Sequence, residues 1–247
     1  MSWPYPRIVA HRGGGALAPE NTLGAIRTGA ARGFRGVEFD VMLAGDGTPV
    51  LIHDETTDRT TGVKGEVAKL PFSELQKLNI PSFEQAGELC RSLGVWANVE
   101  IKPAAGHERA TGETVARTAR ELWRGAALQP VLSSFSTAAL EAAREAAAEA
   151  MLGFLVDEVP VGWRAVMERL RCVSLHCNQK KLTQQQAKEA IAAGYGLLCW
   201  TVNDPVVARR MLDWGVDCLV TDALDVIGPD IGALKAGRTD PPKGDAP

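Results

Sequence analysis

Two short apolar runs in this chain of 247 residues end alike: Ile8-Val9-Ala10 leads into His11-Arg12, and Val50-Leu51-Ile52 leads into His53-Asp54. Imidazole is the side chain whose ordinary pKa lets it give or take a proton near neutrality. An arginine beside it can hold an anion. A second pattern places acids two residues apart. In Val37-Glu38-Phe39-Asp40-Val41 an extended backbone puts both carboxylates on one face and the apolar residues on the other. Such neighbours repel unless a proton or a cation lies between them. Asn98-Val99-Glu100-Ile101-Lys102 repeats the spacing with one acid and one base. On a surface strand this would be an ordinary solvated face. On a central strand of a barrel it would look inward at the mouth, where a hard cation is expected. Three carboxylates, two histidines, an arginine and a lysine form a set suited to phosphoryl chemistry. Oxygen ligands select Mg²⁺ or Ca²⁺, the cationic side chains hold phosphoryl charge, and the histidines move protons.

Such a set works only if the surrounding elements bring it together. A strand at 8–10 is followed by a glycine-rich turn and a helix that Asn21 is expected to cap, with Leu23, Ile26 and Ala30 on one face. Gly33 and Gly36 bracket the turn into the strand at 37–41. Gly45-Asp46-Gly47 then turns the chain into an accessory strand at 50–52. Residues 55–79, polar and turn-rich with a short helix at 73–78, are expected to form an insertion over the strand ends. From there helices at 83–93, 111–123, 137–148, 163–170, 184–193 and 205–214 alternate with strands at 97–101, 131–134, 151–156, 172–176, 197–202 and 218–221. Counting one strand per helix gives eight βα units, the number that closes a (β/α)₈ TIM barrel. A doubly wound sheet has the same alternation. It gathers its site at one switch point, however, whereas polar groups here end many different strands: His11, Glu38, His53, Glu100, Ser134, His176, and Trp200 with Asn203. A last helical segment is expected to fade into a Pro/Gly/Asp-rich disordered tail at 237–247, leaving a single domain at 7–236.

Composition narrows the field. With 45% hydrophobic and 23% charged residues the chain has ordinary globular content, and its formal net charge of −3 gives no electrostatic case for nucleic acid. No apolar run approaches the roughly 20 residues of a membrane helix, and residues 1–6 show no basic region followed by an apolar one, so a signal peptide is not expected. The five cysteines, Cys90, Cys172, Cys177, Cys199 and Cys218, are odd in number and lie in apolar segments. Buried free thiols in a reducing, cytoplasmic protein are expected. Stable membrane association is not expected, and the protein should be a monomer or a homodimer.

The motifs His11-Arg12-Gly13, Pro19-Glu20-Asn21-Thr22, Glu38-x-Asp40, His53-Asp54, Glu100-x-Lys102 and Trp200-Thr201-Val202-Asn203 occur in an order that resembles the glycerophosphodiester phosphodiesterase family. The resemblance runs from Val9 to Asp222. With Leu175-His176-Cys177-Asn178 and no signal peptide, the chain looks most like the family's short cytoplasmic bacterial members. The resemblance implies a TIM barrel with a small insertion after the second histidine, and metal-dependent hydrolysis of glycerophosphodiesters, such as glycerophosphocholine, to sn-glycerol 3-phosphate and an alcohol. It makes Glu38, Asp40 and Glu100 ligands of one Mg²⁺ or Ca²⁺, His11 and His53 the acid–base pair, and Arg12 and Lys102 the phosphate contacts. His11 is expected to be the base and His53 the acid, with water or the glycerol 2-hydroxyl as nucleophile. Trp200 lines the glycerol pocket or belongs to the core, and His176 contacts substrate or fills the barrel interior. Glu20 is expected to orient its loop, and His107 to lie on the surface. The alternatives are a phosphoinositide- or sphingomyelin-type phospholipase, a lysophospholipase D-like activity on the same barrel, and a non-catalytic glycerophosphodiester-binding barrel. The last of these should have lost a histidine or carboxylate that this chain retains.

Overall fold

A computed structural model describes residues 3–231; the tail expected at 237–247 and the domain end at 236 lie outside the described residues. In chain order the elements are β1 (Ile8–Ala10), α1 (Leu23–Ala31), β2 (Gly36–Leu43), β3 (Pro49–Leu51), α2 (Asp58–Thr61), α3 (Phe72–Leu75), α4 (Phe83–Leu93), β4 (Trp96–Ile101), α5 (Glu108–Leu122), β5 (Val131–Ser134), α6 (Thr137–Ala146), β6 (Met151–Val156), α7 (Trp163–Leu170), β7 (Ser174–Asn178), α8 (Gln184–Ala192), β8 (Gly196–Trp200), α9 (Pro205–Asp213) and β9 (Cys218–Thr221). Eight strands pair in parallel in the order β1-β2-β4-β5-β6-β7-β8-β9, and β9 returns to β1 with Ile8 opposite Leu219 and Ala10 opposite Thr221. The sheet is therefore closed, and the fold is a (β/α)₈ TIM barrel. Strand β3 is accessory, running antiparallel to the end of β2 with Val41 opposite Leu51.

Side-chain alternation explains the layering. From β2, Val37, Phe39 and Val41 point outward into the core under the helices, where Phe39 meets Phe83 at 6.1 Å between ring centroids. Glu38 and Asp40 consequently point inward. The inner layer near the strands' N-terminal ends is apolar, with Val9, Val131, Leu198 and Cys218 packed on Trp96, and Tyr5 stacks on Trp96 at 4.5 Å. A separate apolar cluster of Met42, Val50, Ile52, Val67, Leu75 and Ile80 fastens residues 55–79 to the β2–β3 hairpin.

Helix starts follow capping chemistry. Ser82 with Gln85, and Thr183 with Gln186, form reciprocal capping boxes, and Asp204 caps α9 with Pro205 in its first turn. Three expectations are corrected. Thr22, rather than Asn21, caps α1 by accepting from the Ala25 amide at 3.0 Å. Strand β7 begins at Ser174, because the Cys172 amide still closes α7 on the Met167 carbonyl at 2.8 Å. After β9, the described residues through Ile231 form turns where a helix is expected. The five cysteines are buried and unpaired. Among the described residues no helix is long and apolar enough to cross a membrane.

Candidate active site

The inward acids of β2 and β4 meet at the carboxyl ends of the strands, where Asp40 stands in register with Glu100. Carboxylate oxygens of Glu38, Asp40 and Glu100 lie within 4.8 Å of one another, and Glu38 and Asp40 are buried. Burial, and then the charge of Asp40, push Glu38 up to about 7 and Glu100 up to about 8. Glu38 and Glu100 thus hold their protons more tightly than exposed acids do unless a cation arrives. An all-oxygen, buried, mutually repelling donor set fits a hard divalent ion. Its geometry is fixed from outside. Asn21, at φ 56°, donates from Nδ2 to Asp40 Oδ2 at 2.8 Å and accepts from the Asp40 amide at 3.1 Å. The Arg12 amide donates to Glu38 Oε2 at 3.0 Å.

Each histidine leans on an aspartate. His11 Nδ1 lies 2.6 Å from Asp222 Oδ1, and Asp222 is in turn held by Asn203, which donates from Nδ2 at 3.1 Å and accepts from the Asp222 amide at 2.8 Å. His53 Nδ1 lies 2.6 Å from Asp54 Oδ1. Carboxylates only accept, so both Nδ1 atoms carry protons and both Nε2 atoms are left for chemistry. The two Nε2 environments differ. That of His11 is 3.8 Å from Glu38 Oε2. Burial would lower the His11 pKa, but Asp222 and Glu38 outweigh it and the net direction is upward. That of His53 is 2.7 Å from Lys102 Nζ. An ammonium only donates, so His53 presents a lone pair there. Lys102 also approaches Glu100 at 3.5 Å and Asp40 at 3.9 Å. Arg12 is strained at φ 49°, binds Glu20 at 2.7 Å and faces Asp40 at 3.6 Å.

Below this constellation is a cavity of about 130 Å³. The nine residues expected to bind or act all line it, namely His11, Arg12, Glu38, Asp40, His53, Glu100, Lys102, His176 and Trp200, whereas the strand-end residues Ser134 and Asn203 do not. Asn98, Phe135, Leu155 and Leu198 complete much of its wall. Among the described residues, four buried side-chain polar atoms lack a hydrogen-bond partner: Arg12 Nε, Asn98 Oδ1, His176 Nδ1 and Trp200 Nε1. All four belong to this wall. His176 is wholly buried, bonded through Nε2 to Ser174 Oγ at 2.8 Å, and burial drives its pKa down to about 3, so it is neutral. Trp200 meets Phe135 edge-on at 5.6 Å. A wider cleft of about 1250 Å³ opens beside the cavity between the β1–α1 loop and residues 59–61 and 76–81. His107 is exposed, as its position outside the strand ends suggests.

Sequence reasoning missed four contributors. Asn21 reads as a helix cap, Asp54 and Asp222 carry no visible role, and Arg59 sits in a polar run. Only the histidine–aspartate adjacency at 53 and 54 was a usable signal, since Asp222 meets His11 across a separation of 211 residues.

The model of the glycerophosphoryl diester phosphodiesterase family matches residues 11–226. A glycerophosphodiester phosphodiesterase of Caldanaerobacter subterraneus is 29% identical over 229 residues, which is 87% of this chain and 93% of that protein. A solved phosphodiesterase of Oleispira antarctica, in complex with the product sn-glycerol-3-phosphate, superposes with a TM-score of 0.83 at 33% identity, over 93% of this chain and 96% of that one. The glycerophosphodiester phosphodiesterase of Thermotoga maritima gives 0.73 at 26% identity, over 91% and 97%.

Proposed function

The chain belongs to the glycerophosphoryl diester phosphodiesterase family, and we propose that it hydrolyses small glycerophosphodiesters, such as glycerophosphocholine, to sn-glycerol 3-phosphate and an alcohol in a Mg²⁺- or Ca²⁺-dependent reaction. The observation that carries this reading is the single cavity on which a three-carboxylate cluster, two histidine–aspartate pairs, two cations and four unpartnered polar atoms converge.

Glu38, Asp40 and Glu100 would hold the divalent ion, which when bound supplies electrostatic stabilisation of charge on the non-bridging phosphoryl oxygens. Arg12 and Lys102 flank the carboxylates and balance the remaining phosphate charge. The glycerol half fits the deep cavity. Its hydroxyls, each donor and acceptor, match Asn98 Oδ1, His176 Nδ1 and Trp200 Nε1 and relieve the cost of leaving those atoms unpaired. The alcohol then faces the outer cleft, where the insertion at 55–79 shapes head-group preference.

The hydrogen bonds favour the reverse of the histidine roles expected from sequence. With Nδ1 protonated by Asp54's demand and Nε2 accepting from Lys102, His53 is ready to take a proton from the nucleophile, water or the glycerol 2-hydroxyl. His11, bonded through Nδ1 to Asp222 with its Nε2 beside the carboxylate cluster, is placed to protonate the departing alkoxide. If a cyclic phosphate forms first, the roles exchange in the second step. The five buried, unpaired thiols suit a reducing compartment, and we infer a cytoplasmic enzyme.

The test is release of glycerol 3-phosphate from glycerophosphocholine by purified protein, with and without EDTA, followed by Mg²⁺ or Ca²⁺ add-back. Activity lost to EDTA and restored by one of these ions is expected. Full activity in metal-free buffer would overturn the metal assignment, and no activity on any glycerophosphodiester would overturn the substrate. Lysophosphatidylcholine is expected to react more slowly, since the deep cavity of about 130 Å³ leaves no room for a long acyl chain. Faster turnover of it would favour the lysophospholipase D-like alternative.

A further inference from the structure

Arg59 lies in the one-turn helix α2, with its side chain 47% exposed. A surface arginine at that exposure ordinarily gains little from one ion pair. Here the guanidinium uses both of its edges. Its Nε donates to Asp54 Oδ2 at 2.5 Å, while Nη1 and Nη2 donate to Glu20 Oε2 and Oε1 at 2.8 and 2.7 Å. Each of these carboxylates has a second duty. Asp54 turns its other oxygen to His53 Nδ1 at 2.6 Å. Glu20 Oε1 also accepts from Arg12 at 2.7 Å. An unbroken polar chain therefore runs from Lys102 through His53, Asp54, Arg59 and Glu20 to Arg12.

The other histidine supplies an independent parallel. Asp222, which holds His11, has its second oxygen fixed by Asn203 from the β8–α9 loop. Both histidine–aspartate pairs thus have a third member that stops the carboxylate from turning. The need is greater at His53, because Asp54 is its immediate chain neighbour in a turn and no strand fixes their relative orientation. The third member there is also charged. The Arg59 hydrogen bond is the leading reason that Asp54 is held down at about 2, and it diverts part of the carboxylate's accepting power away from the imidazole.

We propose that Arg59 is a positioning residue: through Asp54 it fixes the ring and the basicity of His53, and through Glu20 it ties the insertion to the loop that carries Arg12. The proposal rests on His53 acting in the phosphodiesterase reaction described above. The groups that face His53 are Asp54 at Nδ1, Lys102 at Nε2, and, from the other walls of the cavity, His11, Arg12, Glu38, Asp40 and Glu100. None of these is altered in the variants that test it.

The experiment compares the metal-loaded full chain with Arg59→Ala, Arg59→Lys, Glu20→Gln and a control, Arg117→Ala, which breaks an exposed pair with Glu113 on α5. Kinetics on glycerophosphocholine are measured from pH 5 to 9, and the His53 ring nitrogens are titrated by NMR. Arg59→Ala should lower kcat by about 10-fold or more with KM changed by less than about 3-fold. It should also move the His53 titration and the matching limb of the kcat profile upward by about half a pH unit or more, because Asp54 then bonds His53 alone. A lysine reaches one carboxylate but not both, so Arg59→Lys should recover part of kcat. Glu20→Gln leaves the Asp54 contact intact and should leave the His53 titration in place. A raised KM with unchanged kcat and pH profile would make Arg59 a substrate contact or a simple strap, and an unmoved His53 titration would refute the proposal. Should the wild type hydrolyse no glycerophosphodiester, the functional reading fails while the NMR titration still decides the positioning claim. Should Arg59→Ala not fold, Arg59→Lys against Glu20→Gln decides it.

Discussion

Replacing Glu38 by glutamine should make the metal-free protein more stable at alkaline pH than the wild type, although it destroys the proposed ion site. The cause is the position of Glu38, fully buried beside Asp40, where burial and that neighbouring charge raise its pKa from 4.5 to about 7. At 1.36 kcal/mol per pKa unit, ionising it in the folded chain costs on the order of 3 kcal/mol more than in the unfolded chain. A pKa raised by folding contributes stability that is complete below the unfolded value, near 4.5, and is lost as the pH climbs through about 7. Glutamine carries no such charge. In a domain of this size 1 kcal/mol moves the melting temperature by roughly 2–4 °C. The gap between variant and wild type should therefore widen by roughly 6–12 °C between pH 5 and pH 9. Glu100, raised for the same reasons, relaxes when Glu38 loses its charge and adds to the gain. The assay is scanning calorimetry of EDTA-treated protein across that range, followed by saturating Mg²⁺ or Ca²⁺. The ion should raise the wild-type melting temperature most at high pH and the variant's far less. A difference in melting temperature that does not vary with pH would refute the reasoning, since Glu38 would then ionise freely in the fold.

On ordinary glycerophosphodiesters, His11→Ala and His53→Ala should each lower kcat by about 10²-fold or more. On a p-nitrophenyl diester, whose leaving group needs no proton, only His11→Ala should be partly rescued; rescue of His53→Ala instead would restore the roles expected from sequence. Asp222→Asn should lower kcat by about 10-fold or more with little change in KM and move the His11 limb of the pH profile to lower pH, because burial then acts on His11 without its carboxylate partner; an unchanged profile would remove Asp222 from that role. Gly153→Ala places a Cβ 2.6 Å from His176 Nε2 and should displace that ring. It should cost about 1–3 kcal/mol of stability and raise KM for the glycerol substrate, and a neutral outcome in both denaturant melts and kinetics would show that the His176 position is not needed.

The barrel was legible in the sequence because its strands are buried on both faces and its helices are separated by regular turns. The inward acids of β2 were legible because Glu38 and Asp40 share a strand face with apolar residues between them. The supports of those residues were harder to see. Asn21 and Thr22 are both good helix caps, and only the backbone at φ 56° shows that Asn21 turns away from α1 toward Asp40. Asp222 follows an apolar strand as many surface aspartates do, and its partner His11 lies at the other end of the chain. Arg59 belongs to a polar stretch whose composition says turn or loop and gives no direction for any side chain. In each case the missing information was long-range closure, which no local periodicity encodes.

The seam between β1 and β9 joins the first strand of the described residues to the last, three residue pairs long, and His11 and Asp222 each immediately follow one side of it. These two halves of the site are separated by 211 residues of sequence. A folding intermediate that has paired β2 through β8 contains all three acids and the His53–Asp54 pair, yet His11 lacks its Asp222 partner until β9 docks. The complete acid–base pair is thereby expected only once the barrel has closed. In refolding experiments the onset of turnover should time the closing of the barrel itself, after the helical signal has recovered.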